Sequence, residues 1–366
     1  SAFDAGTAYI AVDRHELDDF KPYIYKTADF GKTWKLAAGG LPQDTFIRVV
    51  REDPAREGLL YAGGETGVYV SFDGGERWQS LQLNLPVVPI HDLAVKDGDL
   101  VAATHGRSFW ILDDLMPLHQ IGPDPAPEAF LFKPRDAYRM RGGRPSATAG
   151  ANPPAGSVIR YFFKDKPEGE VALEFLDAGG KLIRKFSSRP AEREAGAGMD
   201  DYAAYFGGGA AARVPTEAGM NRFVWNMRYP DAERVPGAIL WSGSTIGPTA
   251  APGTYEVRLT VGGKTMSQTW NWLKDPRLET TDSDFKDQFD LLIRIRETLG
   301  EVNRGVNRLR GVRTQIDTVL GKAGSGDVDG AKKIAEAAAA IKARLTEVED
   351  VLIQSKSKSG QAPLNY

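Results

Sequence analysis

Two stretches near the start of the chain decide its fold. They read YKTADFGKTW at residues 25–34 and YVSFDGGERW at residues 69–78. Each places Ser or Thr, then Asp, Gly and Trp at the same intervals, and the two tryptophans, Trp34 and Trp78, lie 44 residues apart. A period in the forties with several short strands per repeat is typical of β-propeller blades. The repeat therefore predicts that residues 1–120 form successive blades.

The residue types in the repeat predict a tight turn between two strands. An Asp in such a turn accepts backbone N–H bonds on its carboxylate, and a Gly supplies a positive φ that other residues resist. We expect the Trp that ends each copy to pack between strands. The residues assigned to this structural role are Thr27, Asp29, Gly31 and Trp34 in the first copy, and Ser71, Asp73, Gly75 and Trp78 in the second.

The motif also carries a family resemblance. The pattern Ser/Thr-x-Asp-x-Gly-x-Thr-Trp fits residues 27–34 fully, and it fits residues 71–78 with Arg77 in the Thr place. With these motifs the chain resembles the Asp-box (BNR) repeat β-propellers, which include sialidases, xyloglucanase-type glycosidases and sortilin-like receptors. Residues 91–114 resemble the last blade of bacterial sortilin/xyloglucanase-like proteins. The resemblance implies the C-terminal portion of such a protein, in a secreted or periplasmic location.

The number of repeats predicts that more blades exist. A third copy at residues 109–114 lacks the Gly and the final Trp, so the chain holds about two and a half blades. A propeller needs about four or more. We expect the remaining blades to come from upstream sequence or from another chain, and an oligomer of identical chains is a further alternative.

Composition divides the rest of the chain into three parts. Residues 121–156 are rich in Pro and Gly and are interpreted as a linker. Residues 157–275 show short strand patterns with hairpin turns, which predict an Ig-like or fibronectin-III-like β-sandwich, with residues 187–218 as a long loop. Residues 276–366 carry apolar residues at spacings of three, four and seven, which predict an antiparallel helical hairpin. The fold class is thus mainly β with a C-terminal α part.

Charge and residue counts exclude several classes of function. The 366 residues contain 46 Lys and Arg against 49 Asp and Glu, for a net charge of -3, so no basic excess points to nucleic acid. The sequence contains no apolar run of about 18 residues or more, so no membrane span is predicted. The absence of cysteine excludes disulfides, thiolate metal sites and a cysteine nucleophile. No His pair has zinc-site spacing, so neither a metal nor a cofactor is expected.

Whether the protein is an enzyme stays open at this point. Glycoside hydrolysis needs two carboxylates about 5–10 Å apart, and the sequence pairs no two of its acids, so no catalytic residue is assigned. The resemblance to xyloglucanases implies catalytic acids mainly outside this chain. The acids available in the first part are Asp4, Asp13, Glu16, Asp18, Asp19, Glu65, Asp92, Asp113 and Asp114.

A candidate ligand site lies in the last blade. His91 and His105 flank its innermost strands, which would line the propeller channel, and Trp110 has an apolar face suited to sugar C–H groups. The candidate ligand-binding residues are His91, Asp92, His105, Arg107 and Trp110. The alternative is structural: Asp92 and His105 make turn bonds, and Trp110 packs between blades.

Three functions remain. The first is ligand binding and assembly, with a protein, peptide or glycan ligand, as in the sortilin-like branch. The second is a glycoside hydrolase of the xyloglucanase-like type. The third is a purely structural subunit that completes a propeller. The fold hosts too many functions to decide between them.

The turn role of Asp73 gives a first prediction. Asp73→Ala should lower the free energy of unfolding by about 1–3 kcal/mol, because the carboxylate's turn bonds are lost. Thermal melting of the variant and the parent protein measures the loss. Unchanged melting would contradict the structural role.

Overall fold

The structure confirms a mainly β chain with a helical C-terminal part. It is a computed structural model that describes residues 1–122, 127–140, 148, 150–190, 212–239, 243–324 and 330–354. The predicted loop at residues 187–218 lies for the most part outside these described residues.

Residues 8–112 form three consecutive antiparallel meanders. Sheet 1 contains β1 (Ala8–Ala11), β2 (Ile24–Thr27) and β3 (Lys35–Leu36), with a short 3-10 helix at His15–Leu17 between the first two strands. Sheet 2 contains β4 (Ile47–Glu52), β5 (Leu60–Gly64), β6 (Val68–Ser71) and β7 (Gln79–Ser80). Sheet 3 contains β8 (Ile90–Lys96), β9 (Asp99–Thr104) and β10 (Phe109–Leu112).

The three sheets share two apolar cores. In one core, Ile24 of sheet 1 packs with Ile47 and Leu60 of sheet 2 and with Trp78, which directly precedes β7. Other residues of sheet 2, among them Tyr61, pack with residues of sheet 3 in a second core. Meanders of three or four strands that pack face to face in sequence order are the arrangement of propeller blades. This part of the chain is therefore propeller-like.

The two copies of the sequence motif fold into nearly the same turn. In the first, Asp29 accepts bonds from the Thr27 hydroxyl at 2.8 Å and from the Thr33 backbone N–H at 2.9 Å. In the second, Asp73 accepts bonds from the Ser71 hydroxyl and from the Arg77 backbone N–H at the same two distances. Gly31 and Gly75 follow with φ of 81° and 93°. The hydrogen bonds of Thr33 and Thr27 lower the pKa of Asp29.

The two tryptophans differ, and the expectation that both pack between strands is wrong for Trp34. Trp78 is 4% exposed and donates its indole N–H to the Ala37 carbonyl, which follows sheet 1. Trp34 is 41% exposed. The physical reason is position: Trp78 packs on the preceding sheet, whereas no sheet of the described chain precedes sheet 1.

The segment expected to be a linker contributes strands to the next unit. Within residues 121–156, β11 (Ala129–Leu131) pairs antiparallel with β13 (Ser157–Phe163), and β12 (Ala137–Arg139) pairs parallel with β18 (Lys264–Lys274). Short apolar stretches separate the prolines here, and they gain backbone partners only from strands far along the chain. Composition alone therefore did not reveal them.

Residues 129–274, which we call the second unit, build two sheets around one core. The first has the order β11-β13-β16, where β16 is Gly219–Trp225. The second has the order β12-β18-β17-β14-β15, and its other strands are β14 (Ala172–Asp177), β15 (Leu182–Ser187) and β17 (Gly253–Val261). The centre of the core is aromatic: Phe175 lies 4.5 Å from Trp225 between ring centroids. Trp270 donates its N–H to the buried Ser157 hydroxyl at 2.7 Å.

The helical part consists of two antiparallel helices. After the short helix α1 (Met116–Gln120) in the first unit, the chain forms α2 (Asp282–Gly324) and α3 (Ala331–Leu352). Glu349 accepts bonds from Arg310 and Arg313 at 2.7 and 2.8 Å. Burial would raise the pKa of Glu349, but the hydrogen bonds and charges of these two arginines hold it below its usual range.

Helix α2 begins with a capping box formed by Thr281 and Asp284. The Asp284 backbone N–H donates to the Thr281 hydroxyl at 3.2 Å, and the Asp284 carboxylate accepts the Thr281 N–H at 2.8 Å. These reciprocal bonds satisfy two groups that the end of a helix leaves unpaired. The ring of Phe289 of α2 packs at a tilt against Tyr229, with centroids 4.8 Å apart, which joins the helix to the second unit.

A buried carboxylate joins the propeller-like part to α1. Asp53, fully buried, accepts hydrogen bonds from the Tyr61 hydroxyl and the Ala55 N–H, and its carboxylate lies 2.9 Å from Nε2 of His119 in α1. Burial and the Asp53 charge raise the pKa of Tyr61. Arg160 of β13 pairs with Asp114, so the second unit is tied to the end of sheet 3.

The unequal burial of the two tryptophans gives a second prediction. Trp78→Ala should cost about 3–5 kcal/mol of stability, as is typical of deleting a buried Trp. Trp34→Ala removes the same side chain from the same place in the motif but should cost clearly less, because that indole is half exposed. Dye-monitored thermal melting of both variants measures the difference. Equal losses would show that Trp34 is buried in the protein.

Candidate functional site

The candidate site lies at one end of the three meanders. Strands β4 and β8 begin at this end, and strands β5 and β9 finish there. Each motif turn follows β2 or β6 and so lies at the opposite end of its sheet. Loops at an end where several strands meet bring together side chains from different sheets.

His91 and His105 meet at this end of sheet 3. Their imidazole rings are stacked, with centroids 4.9 Å apart and an angle of 21° between the planes. His91 lies at a bulge between Ile90 and Asp92, where the pairing of β8 with β9 shifts by one residue. The backbone N–H of His105 donates to the Pro89 carbonyl at 2.9 Å. A bulge aims a side chain away from its ladder position, and here both rings are exposed.

Arg107 lies in the tight turn that follows His105. Its backbone N–H donates to the Thr104 hydroxyl at 3.1 Å, and Gly106 and Ser108 take positive φ on either side. The Arg107 side chain is exposed. Within the part of the chain that the structure describes, the imidazoles of His91 and His105 and the Arg107 guanidinium make no hydrogen bond or ion pair. Their donors are thus directed to solvent.

Asp92 is engaged elsewhere. Its carboxylate accepts a bond from Arg51 of β4 at 2.7 Å and another from the Leu93 N–H at 2.8 Å. The same guanidinium donates to the Leu93 carbonyl at 3.0 Å. Asp92 therefore ties sheet 3 to sheet 2, and its ligand-binding role stays a prediction.

Trp110 also has structural contacts. Its indole N–H donates to the Arg107 carbonyl at 3.0 Å, and the half-buried ring packs with the core between sheets 2 and 3. The cavity beside it has a volume of about 60 Å³ and is lined by residues such as Val68, Leu83 and Leu85. Ligand pockets usually hold about 300 Å³ or more. The sugar-stacking role of Trp110 stays a prediction.

A charged network that the sequence reasoning missed occupies the same end of sheets 1 and 2. Arg48 lies 2.7 Å from Glu65 and 3.7 Å from Asp13, measured between guanidinium nitrogen and carboxylate oxygen. Asp13 lies 2.6 Å from Nδ1 of His15. The buried Phe46 ring stacks with His15 at 4.6 Å and contacts the Arg48 guanidinium at 4.7 Å. This network links the two sheets.

The network and the His pair occupy equivalent positions in the repeat. Arg48 lies at the bulge of β4, as His91 does in β8. Glu65 donates its backbone N–H to the Phe46 carbonyl, as His105 does to Pro89. The sequence could therefore have revealed Arg48 and Glu65. Aligning the repeats would have placed them at the positions equivalent to His91 and His105.

Several of the predicted acids are engaged in contacts within the fold. Asp13 and Glu65 share one guanidinium, and Asp4 and Asp19 bond to the Thr7 and Tyr23 hydroxyls. Asp114 pairs with Arg160. Burial and then the Asp99 charge raise the pKa of Asp113, which lies at the opposite end of sheet 3 from the His pair. Glu16 and Asp18 lie in and beside the exposed 3-10 helix.

Two further findings concern the described residues alone. No helix among them is long and apolar enough to cross a membrane. No group of three or more potential metal-ligating His, Asp or Glu side chains occurs among them.

No protein-family model matches the chain, and no curated protein matches it. The chain is similar to the solved structure of an ancestral GH74 enzyme, with 13% identity and a TM-score of 0.24 over 72% of this chain and 41% of that one. It is similar to the GH74 xyloglucanase from Xanthomonas campestris, with 14% identity and a TM-score of 0.24 over 75% of this chain and 51% of that one.

A third solved structure, YCF48 bound to D1 peptide, has 10% identity and a TM-score of 0.22 over 72% of this chain and 85% of that one. The chain thus spans about half or less of the two GH74 enzymes. TM-scores this low establish neither the fold nor the function of this chain. The propeller-like description rests on the stacked meanders instead.

The Arg48 network gives a prediction about pH. Burial would raise the pKa of Asp13, but its bonds to His15 and the Arg48 charge hold it below the usual value. A carboxylate with a lowered folded-state pKa stabilises the fold above its unfolded pKa, and this stabilisation is lost as pH falls through the folded pKa. Asp13→Asn should therefore lower the melting temperature at pH 7, and the difference from the parent protein should shrink below about pH 4.

Asp18→Asn is the matched control, since Asp18 is an exposed acid at the end of the adjacent 3-10 helix. Melting curves from pH 7 to pH 3 should show little pH-dependent difference for this variant. A constant difference between Asp13→Asn and the parent protein across that range would contradict the stabilising network.

Proposed function

We propose that this chain is part of a β-propeller protein that binds a ligand at the strand ends where His91, His105 and Arg107 meet. The proposal places the chain in the Asp-box type of propeller, on the motif turns at Asp29 and Asp73. It assigns the sandwich and helices to docking and assembly. The sequence resemblance to bacterial sortilin-like proteins extends the proposal to a secreted or periplasmic location.

The observation that carries the proposal is the set of exposed donors at the end of sheet 3. Two imidazoles stacked at 4.9 Å and a neighbouring guanidinium make no polar bond to the described chain. An arginine presents five N–H donors in a fixed fork, and a histidine presents one or two. The ligand chemistry that fits is a group rich in acceptors, such as the carboxylates of a peptide or the hydroxyls of a glycan.

Binding is preferred to hydrolysis because of how the acids are used. A glycosidase pair needs one carboxyl free to give a proton and another free to act as base or nucleophile. Asp13 and Glu65, two of the acids at the candidate end of sheets 1 and 2, both bind Arg48. Hydrolysis, with its acids mainly outside this chain, remains the alternative function, and a purely structural role is the third.

The proposal includes further blades on both sides. Sheet 1 presents Ile10 and Leu36 at 44% and 51% exposure, and sheet 3 presents Phe109 and Ile111 at 72% and 59%. Residues at these alternate strand positions face away from sheet 2, where a neighbouring blade would pack. We propose that blades of the same polypeptide or of a partner chain cover them.

The test is a binding screen with substitutions at the site. The protein is screened on peptide and glycan arrays, and affinity for the best binder is measured by calorimetry. Arg107→Ala and His91→Ala should each weaken binding about tenfold or more, as expected for donors at the centre of an interface. Lys96→Ala, at the far end of the same strand β8, is the matched control and should leave affinity unchanged.

The outcomes separate the three functions. Equal binding by the Arg107→Ala variant and the parent protein would contradict the site. Weakened binding by a correctly folded Trp110→Ala variant would add the predicted sugar-stacking role. Release of reducing sugar from polysaccharide would favour the hydrolase, and an absence of both binding and turnover would favour the structural role.

A further inference from the structure

The helical hairpin leaves an apolar stripe open. On α3, Ile334, Ile341 and Val348 are 37%, 48% and 50% exposed. They recur at intervals of seven residues, so they lie along one side of the helix. From Ile334 to Val348 the stripe is about 21 Å long, and an exposed apolar stripe of this kind is typical of a protein-protein contact.

The side of α3 next to this stripe packs on α2. Ala338 and Glu349 are buried, and Glu349 bonds to Arg310 and Arg313 of α2. Lys342 bonds to Asp317 of α2 at 2.7 Å. The ion pairs therefore fix one side of α3 on α2, and the stripe of Ile334, Ile341 and Val348 lies beside this contact and stays exposed.

Charge along α3 indicates what covers the stripe. Apart from Lys342 and Glu349, which bond to α2, residues 331–344 carry three basic and one acidic side chain, whereas residues 345–352 carry two acidic and no basic side chains. Two such helices side by side in the same direction would place like charges together. Placed antiparallel, the basic half of each helix lies against the acidic half of the other, which stabilises the pair.

The stripe also has the symmetry that this arrangement needs. Ile334 and Val348 lie at equal distances on either side of Ile341, so a twofold axis near Ile341 would place Ile334 of one copy beside Val348 of the other. A twofold interface uses the same patch on both subunits. An apolar stripe centred on one residue, with opposite charge at its two ends, is complementary to itself.

We infer that two copies of this chain associate through α3, antiparallel, and join their hairpins into a four-helix bundle. The contact is independent of the proposed ligand site at the end of sheet 3. It uses the packing geometry of helix bundles, in which apolar stripes of neighbouring helices interlock around a shared core.

The first test is the mass of the full 366-residue chain in solution. Light scattering after size exclusion should give twice 39.9 kDa for the parent protein. Ile341→Glu should raise the dissociation constant of the dimer at least about tenfold, because two charges would be buried together near the axis. Ala343→Glu, on an exposed side of the same helix away from the stripe, is the matched control and should leave the dimer intact.

The second test determines the direction of the helices. Because the chain has no cysteine, single substitutions report their own positions. With a short thiol cross-linker, Ile341→Cys should give a covalent dimer, and Ile334→Cys alone should not. The double variant Ile334→Cys/Val348→Cys should cross-link again, since each new thiol then has a partner.

A monomer at all accessible concentrations would overturn the inference. A dimer that persists unchanged in the Ile341→Glu variant would also overturn it, because the contact would then lie elsewhere, for example at the open faces of sheets 1 and 3. Efficient cross-linking of Ile334→Cys by itself would show parallel helices and overturn the antiparallel arrangement.

Discussion

The packing of one small sheet on the next is the interaction on which the rest of this structure depends. A meander of three or four short strands is marginally stable alone, so it needs an apolar neighbour. Sheet 2 has neighbours on both faces, and its strand β5 is buried along its whole length. Sheets 1 and 3 have one neighbour each among the described residues, which explains why Trp34, Ile10 and Phe109 are exposed while Trp78 is buried.

The same packing creates the candidate site. Because the meanders run in the same sense, equivalent strand ends lie side by side, and the residue at each bulge projects from the same end. In sheet 2 that residue, Arg48, is neutralised by Asp13 and Glu65. In sheet 3 the equivalent residue is His91, whose contact is the ring of His105. One repeat position thus serves as an internal link in one blade and as an exposed donor in the next.

The units beyond the sheets are attached through polar groups held out of water. Asp53 bonds to Tyr61 and His119 and so holds α1 on sheet 2, and the Arg160–Asp114 pair joins the end of sheet 3 to the second unit. A buried carboxylate is tolerated only when its oxygens are bonded, so these contacts fix the position of α1. The helices attach farther along, where Phe289 packs against Tyr229 and Asn307 bonds to Glu233.

The sequence by itself determined the features whose contacts are local. The Asp29 and Asp73 turns close within eight residues, and the two long helices follow from a short period of apolar residues, so both could be predicted. The pairing of β12 with β18, the burial of Trp78 but not Trp34, the bond from Arg51 to Asp92 and the Arg48 network were decided by tertiary structure. Each depends on which distant segments meet, and a single sequence records the residue types but not their partners.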